Sequence, residues 1–278
     1  MKRKISMVMF TLLLLSTNKT NAQQWVKMNP QFEPPGEYNL ERGVFLDEYN
    51  GWFADVNKIF QTTNGGLTWN MKVNSIVNAI ETPDIFFVNA SNGWVLFNPQ
   101  GDSSVVYRTT NRGQNWGMIK IPKISRFYFT NENDGVGTFQ DSVYKTTNGG
   151  VTWKKIDLEQ YEGNIVLNTI FFLNEKKGWM VGGRNVNNGY YRYPAILSTN
   201  DGGNSWSFNN FKTDYNMGLL TIAFVDSLNG VVCDNLLYYH SSSDGGKEWI
   251  RNNDAIGFIL YILFTSEKEG WMTGAQGF

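Results

Sequence analysis

Thr146-Thr-Asn-Gly-Gly-Val-Thr-Trp153 is a hydrophilic turn that stops on a tryptophan, and the chain carries four more versions of it. They are Thr62-Thr-Asn-Gly-Gly-Leu-Thr-Trp69, Thr109-Thr-Asn-Arg-Gly-Gln-Asn-Trp116, Thr199-Asn-Asp-Gly-Gly-Asn-Ser-Trp206 and Ser242-Ser-Asp-Gly-Gly-Lys-Glu-Trp249. All five fit Ser/Thr-x-Asp/Asn-x-Gly-x-x-Trp, and their tryptophans recur at intervals of 47, 37, 53 and 43 residues. Self-similarity at a period of about 40–50 marks units that bury their faces only against their neighbours, as in propellers and solenoids.

The residue types explain the turn locally. Asn64, Asn111, Asn148, Asp201 and Asp244 offer a side-chain oxygen to backbone amides ahead of them. Gly66, Gly113, Gly150, Gly203 and Gly246 supply the positive φ of a tight hairpin. Trp69, Trp116, Trp153, Trp206 and Trp249 each bring a large apolar surface and one N–H to satisfy. These are structural roles. The alternating oxygen ligands of a calcium loop are missing, so no metal is expected at the turns.

The fourth unit shows how the turn sits in its repeat. Asn168–Leu173 reads as a first strand, Asn174–Lys177 as a polar turn and Gly178–Gly182 as a second strand. Ala195–Thr199 is a third strand, and Ser205–Phe208 starts a fourth after the motif. Four short antiparallel strands joined by hairpins make a propeller blade. First strands elsewhere start near Gly43, Ile85, Phe127, Ile222 and Ile259, and second strands open at Gly51, Gly93, Gly135, Gly230 and Gly270. The sixth unit reaches Phe278 after two strands, and Gln24–Met28 reads as a lone fourth strand. The expectation is an all-β β-propeller over residues 23–278, with five complete four-stranded blades and a partial sixth. It corresponds to a truncated seven-bladed ring, incomplete at its C-terminal side and open at its edges.

Bulk properties narrow the functional classes. Lys2, Arg3 and Lys4 precede the apolar run Met7–Leu15, and Thr20-Asn-Ala22 offers a cleavage site, so residues 1–22 read as a bacterial signal peptide. The mature chain is then periplasmic, displayed on the cell surface or secreted, with no integral membrane segment. Removing residues 1–22 moves the formal net charge from −1 to −5, and no basic run remains to hold nucleic acid. Cys233 follows two valines and reads as a buried, inert thiol. Together with His240, the only histidine, it is too little for a zinc site. No cofactor is expected.

The repeats resemble the BNR, or Asp-box, repeats of sialidases and sortilin-type receptors. The whole unit, from apolar strand through Gly-Trp to Thr-Thr-Asn-Gly-Gly-x-x-Trp, is most similar to the photosystem II assembly/stability factor propellers and their non-photosynthetic bacterial relatives. That resemblance covers residues 24–278 and implies a non-catalytic platform or assembly aid that binds a protein or glycan. The competing class is a glycoside hydrolase, sialidase-like or endo-glucanase-like. A sialidase clamps its substrate with three arginines, the first in an Arg-Ile-Pro context that this chain lacks; the earliest candidate is Arg42. Two-carboxylate chemistry would draw on Glu81, Asp84, Asp102, Asp157, Glu159, Glu162, Asp214 and Asp254, which fall in loops opposite the repeated turn. The most distinctive segment is an insertion between strands two and three of unit four. Its Arg184, Tyr190, Tyr191, Arg192 and Tyr193 offer stacking faces and guanidinium forks, and they are the candidate binding residues.

Overall fold

The computed structural model describes residues 30–36, 38, 42–75, 77, 79–81, 83–158, 164–186, 191–209, 211, 217–252, 256–266 and 269–275. The chain forms two compact units, residues 1–123 and 124–278. Gln24–Met28, expected as a strand, lies outside the described residues.

Unit one holds two sheets. The first contains β1 (Gln31–Glu33), β2 (Arg42–Phe45), β3 (Gly51–Asp55), β4 (Lys58–Thr62) and β5 (Thr68–Asn74). β2 to β5 form an antiparallel meander, and β1 adds a parallel fifth strand on the outer edge that was not expected. Apolar contact holds it there, because Phe32 of β1 meets Tyr38, Phe53 and Phe60 edge-on or tilted. The second sheet is the meander β6 (Asp84–Phe87), β7 (Gly93–Phe97), β8 (Ser103–Thr109) and β9 (Gly117–Pro122).

Unit two repeats the pattern. Its first sheet is β10 (Arg126–Phe129), β11 (Gly135–Phe139), β12 (Ser142–Thr146) and β13 (Lys154–Ile156). Next come β14 (Asn164–Phe172), β15 (Gly178–Val186), β16 (Tyr191–Thr199) and β17 (Ser207–Asn209). A third sheet has β18 (Leu219–Phe224), β19 (Gly230–Asp234), β20 (Tyr239–Ser242) and β21 (Ile250–Arg251), and β22 (Phe258–Ser266) with β23 (Glu269–Ala275) forms a hairpin. Among the described residues, five sheets each contain a four-stranded antiparallel meander and a two-stranded sixth follows, as expected. Each meander is a propeller blade.

One aromatic contact recurs in every blade. The last phenylalanine of strand one lies six residues before the glycine that opens strand two: Phe45 and Gly51, Phe87 and Gly93, Phe129 and Gly135, Phe172 and Gly178, Phe224 and Gly230, Phe264 and Gly270. A Cβ on any of these glycines would meet the ring of its phenylalanine, so the ring packs against bare backbone. In the five full sheets the same ring makes a T-shaped contact with the tryptophan of the repeated turn, with centroids 5.8–6.0 Å apart and planes at 73–86°. The tryptophan of strand two stacks on the phenylalanine of the following sheet where both lie in one unit: Trp52 on Phe87 at 5.5 Å and Trp179 on Phe224 at 3.7 Å. Where β11 carries Val136 instead, Tyr128 stacks on Phe172 at 5.4 Å. Offset and edge-on pairs of this kind add about 0.5–1.5 kcal/mol each beyond the area they bury.

The repeated turn is satisfied from within. In the first copy Gly66 N–H donates to Thr62 Oγ1 (2.8 Å), Thr62 Oγ1 donates to Asn64 Oδ1 (3.0 Å), and Thr68 N–H donates to the same oxygen (3.0 Å). Each turn then docks on the turn between strands one and two of its own sheet. The amide of Gly65, Arg112, Gly149, Gly202 or Gly245 donates to the carbonyl of Tyr49, Ser91, Asn133, Lys176 or Leu228 respectively. Those second turns are themselves side-chain-closed, since Asp47, Asn89, Asn131, Asn174 and Asp226 each accept two backbone amides two and three residues ahead. Positive φ falls on two consecutive residues in every copy, the expected glycine and the one before it. In the second copy that preceding residue is Arg112, at φ 61, and its bond to Ser91 is the longest of the five at 3.2 Å.

The indole N–H groups divide. Trp153 and Trp249 donate to the Gly150 and Gly246 carbonyls at 3.0 and 3.1 Å, whereas the N–H groups of Trp116 and Trp206 are buried with no hydrogen-bond partner. Asp201 keeps its charge at the surface of its turn. Burial works against ionisation, but hydrogen bonds from Ser205 and Thr199 hold its carboxyl down to about 2.

Cys233 and His240 are neighbours on the β19–β20 hairpin but point to opposite faces, because Cys233 pairs with Tyr239 and His240 with Val232. Burial, with Asp234 adjacent, pushes the Cys233 thiol up to about 12, so it is inert at neutral pH. His240 Nε2 lies 3.0 Å from Asp234 Oδ2 inside the protein. Burial alone would raise the Asp234 carboxyl, but His240 and the Tyr238 and Leu236 amides hold it below the usual range.

One glycine is required by backbone rather than by a ring. β14 bulges at Asn168, and the bulged chain brings the Val166 carbonyl against Gly182 of β15, where a Cβ would overlap it. Gly182→Ala is expected to cost about 3 kcal/mol or more in chemical denaturation, because backbone cannot swing aside as a side chain can. Gly117→Ala on β9, with only the Arg108 carbonyl near at 3.9 Å, should stay within about 0.5 kcal/mol of the parent.

Relief of the left-handed conformation makes Arg112→Gly stabilising by about 0.5 kcal/mol, less than the full steric cost because glycine also loosens the unfolded chain. A fall in the denaturation midpoint would contradict this. Asp201 has a depressed folded pKa, so its contribution is complete above the ordinary carboxylate value of about 4 and disappears as pH falls towards 2. Asp201→Asn should therefore fold, as asparagine serves in three other copies, and its melting temperature should fall less steeply between about pH 5 and 2.

Candidate functional site

The described part of the segment between strands two and three of the fourth sheet, residues 183–186 and 191–194, is strand. It continues both strands. β15 and β16 remain paired to their ends, with Gly183 opposite Pro194, Arg184 opposite Tyr193, Asn185 opposite Arg192 and Val186 opposite Tyr191. β15 has nine residues where β3, β7, β11 and β19 have five. Four extra residues carry its end about 13 Å further along the strand axis. β14 lengthens with it, pairing Ile165 with Arg184. The cause is in the sequence: Val166, Val186 and the tyrosines at 191 and 193 favour strand, and Pro194 begins no helix.

β14 carries a bulge at Asn168, and the bulge is tied to the next sheet. Asn168 Nδ2 donates to the Leu219 carbonyl at 2.7 Å, and Thr169 Oγ1 donates to the Leu220 carbonyl at 2.8 Å. Leu220 sits at an irregularity of β18 in the corresponding place, so two side chains satisfy carbonyls released from the ladder. This gives the extended hairpin a rigid base.

At its described end, the Arg184 guanidinium lies 5.6 Å from the Tyr193 ring centroid, and Tyr193 is 39% exposed. Arg184 Nε is buried with no hydrogen-bond partner. The arrangement presents an aromatic face with a cation across it, a surface suited to stacking and to charge-assisted hydrogen bonds. Thus the structure brings together two of the five candidate residues, Arg184 and Tyr193. It places Tyr191 and Arg192 by backbone register in β16. Tyr190 lies outside the described residues.

Among the described residues, some of the groups a glycosidase would draw on are engaged elsewhere. Arg42 Nη1 donates to Asp84 Oδ1 at 2.7 Å, which occupies both the earliest arginine and one candidate acid. Arg108 lies 5.7 Å from the Trp94 ring at the end of β8 that leads into the repeated turn. Glu81 accepts a long bond from Asn98 Nδ2 (3.4 Å), and Asp102 and Asp157 are exposed. Glu159, Glu162, Asp214 and Asp254 lie outside the described residues. Among the described residues there is no group of three His, Cys, Asp or Glu side chains placed to hold a metal ion. No described helix is long and apolar enough to cross a membrane.

No protein-family model matches this chain, and no curated protein matches it either. Solved structures do. YCF48 from Cyanidioschyzon merolae is similar with a TM-score of 0.63 and 17% identity, over 82% of this chain and 77% of that one. An ancestral GH74 enzyme is similar at 0.55 and 12%, over 72% of this chain but 30% of its own length. An α-L-arabinofuranosidase from Fusarium graminearum is similar at 0.51 and 12%, over 75% of this chain and 79% of that one. Sequence identities this low carry the fold and no chemistry. The chain is an all-β protein of the β-propeller class.

Proposed function

We propose that this protein is an exported, non-catalytic propeller that recognises a protein or glycan partner through the extended end of its fourth sheet. The observation that carries the reading is the β14–β16 extension, with Arg184 and Tyr193 held face to face on a base locked by Asn168 and Thr169. Its described end presents the residue types that dominate binding hot spots. Export rests on the basic start and short apolar run of residues 1–22. The repeated turns play no direct part, because their side-chain oxygens are spent on their own backbone.

The test is a glycan array and a panel of fluorogenic glycosides, read on one preparation of the full chain, followed by cross-linking to protein partners in the exported fraction. The expected result is no turnover and at least one saturable partner. Tyr193→Ala and Arg184→Ala should each weaken that partner by about 1–3 kcal/mol while leaving the melting temperature within a few degrees. Turnover abolished by replacing a carboxylate would overturn the non-catalytic reading. Binding unchanged in both variants would move the interface elsewhere.

A further inference from the structure

We infer that the extended end of the fourth sheet takes an acidic glycan, with a uronate residue seated on Arg184 and Tyr193. The inference rests on the binding role given above to β14–β16 and names the class of ligand for that site.

Backbone register sets the two side chains next to each other. Arg184 pairs with Tyr193 across β15 and β16, and Ile165 of β14 pairs with Arg184 on its other side. Cross-strand partners share a face of a sheet, as do positions two apart along a strand. Which face it is follows from the residues below. Ile165, Leu167, Met180, Ala195 and Leu197 are buried in one cluster with Val136 and Val143 of the third sheet. Arg184 and Tyr193 therefore lie on the side of the fourth sheet that looks towards the third. Counted from the opening glycines, Arg184 is the seventh residue of β15, whereas β11 ends at its fifth, Phe139. The strands of the third sheet stop short of the pair. Exposure changes accordingly along β16: Leu197 and Ala195 are at most 2% exposed, and Tyr193 is 39% exposed.

The charge of the pair is uncompensated among the described residues. Ion pairs there join Arg42 to Asp84, Lys145 to Asp134 and His240 to Asp234, and none uses Arg184. Arg184 Nε is buried with no hydrogen-bond partner, so the guanidinium has lost hydration without a replacement and gains from an anion brought alongside. Residues 164–170, 180–186 and 191–197 contain two arginines and no acid, which makes this sheet end locally cationic on a chain of formal net charge −1. Its complement is an anion joined to a flat apolar face. A carboxylate meets the guanidinium fork, and pyranose C–H groups cover the exposed tyrosine ring. A uronate residue carries both on one rigid ring. An acidic peptide brings its carboxylate on a rotatable stem with no flat face fixed to it, and ordering that stem costs affinity.

The probe is a panel of tetrasaccharides of galacturonate, glucuronate and guluronate, each beside its methyl ester, titrated calorimetrically into the full chain. The ester keeps the ring and removes the charge. Expected are saturation by at least one uronide and binding of its ester weaker by about ten-fold or more, a difference that shrinks as salt is raised. Arg184→Gln should bring the acid down to the level of its ester. Tyr193→Ala should weaken acid and ester alike by about five-fold or more, and Tyr193→Phe should stay within about two-fold of the parent. Saturation by no uronide, equal binding of acid and ester to the unaltered chain, or a hexaglutamate peptide that binds as tightly as the best uronide would each overturn the inference. A neutral glycan or protein partner lost in Tyr193→Ala but insensitive to Arg184→Gln would also overturn it, and would leave the interface on β14–β16 standing. Uronide binding unchanged in both variants would overturn the inference and that interface together.

Discussion

A phenylalanine ring lying on a glycine backbone organises each repeat of this protein. The glycine must lack a side chain because the ring takes its place, and the same ring packs T-shaped against the tryptophan of the repeated turn. The same ring can receive the strand-two tryptophan of the preceding sheet, as Phe87 and Phe224 do. One side chain thus joins a hairpin, a turn and, within a unit, a neighbouring sheet. Such contacts also explain why Trp52 and Trp179 are buried almost completely. Their dispersion contacts come from two sheets at once, and each would be half-solvated without the second.

The hydrogen-bonded turns complement this apolar hub. At one end of every full sheet, two side-chain-closed turns are joined by a single backbone bond. Cross-sheet bonds extend the same end, with Lys145 Nζ on the Gly202 carbonyl and Lys177 Nζ on the Ser227 carbonyl. That end is occupied by structure-holding chemistry, which leaves the opposite ends of the strands free to vary. Variation is what the fourth sheet shows there, through longer strands and an Arg–Tyr pair. Rigid repeats with one variable end are a common division of labour in binding scaffolds.

Much of the fold was legible from spacing. Five turn motifs located the strand-three to strand-four connections, and the Gly-Trp or Gly-Val pairs located strand two. The phenylalanine six residues before each of those glycines was equally regular, and it was the stronger signal for the core because it survives in units where tryptophan becomes valine. Asp47, Asn89, Asn131, Asn174 and Asp226 read only as parts of polar loops, and the structure closes each as a second Asx turn. The candidate site was only half legible. Arg184 and Tyr193 were picked out by residue type, but a Gly-, Asn- and Tyr-rich insertion read as a loop, and cross-strand pairing beyond the blade turned it into strand.

The sequence by itself determined the repeat, the strand polarity and the turn chemistry. Each depends on residues within about eight positions of one another, and local backbone preferences dominate at that range. Tertiary structure alone decided which aromatic stacks on which sheet and where a bulge forces a glycine such as Gly182. It also decided that β1 would add in parallel to β5, and that Cys233 and His240 would face away from each other across one hairpin. Those outcomes follow from shape and desolvation between segments tens of residues apart, which no spacing along the chain encodes.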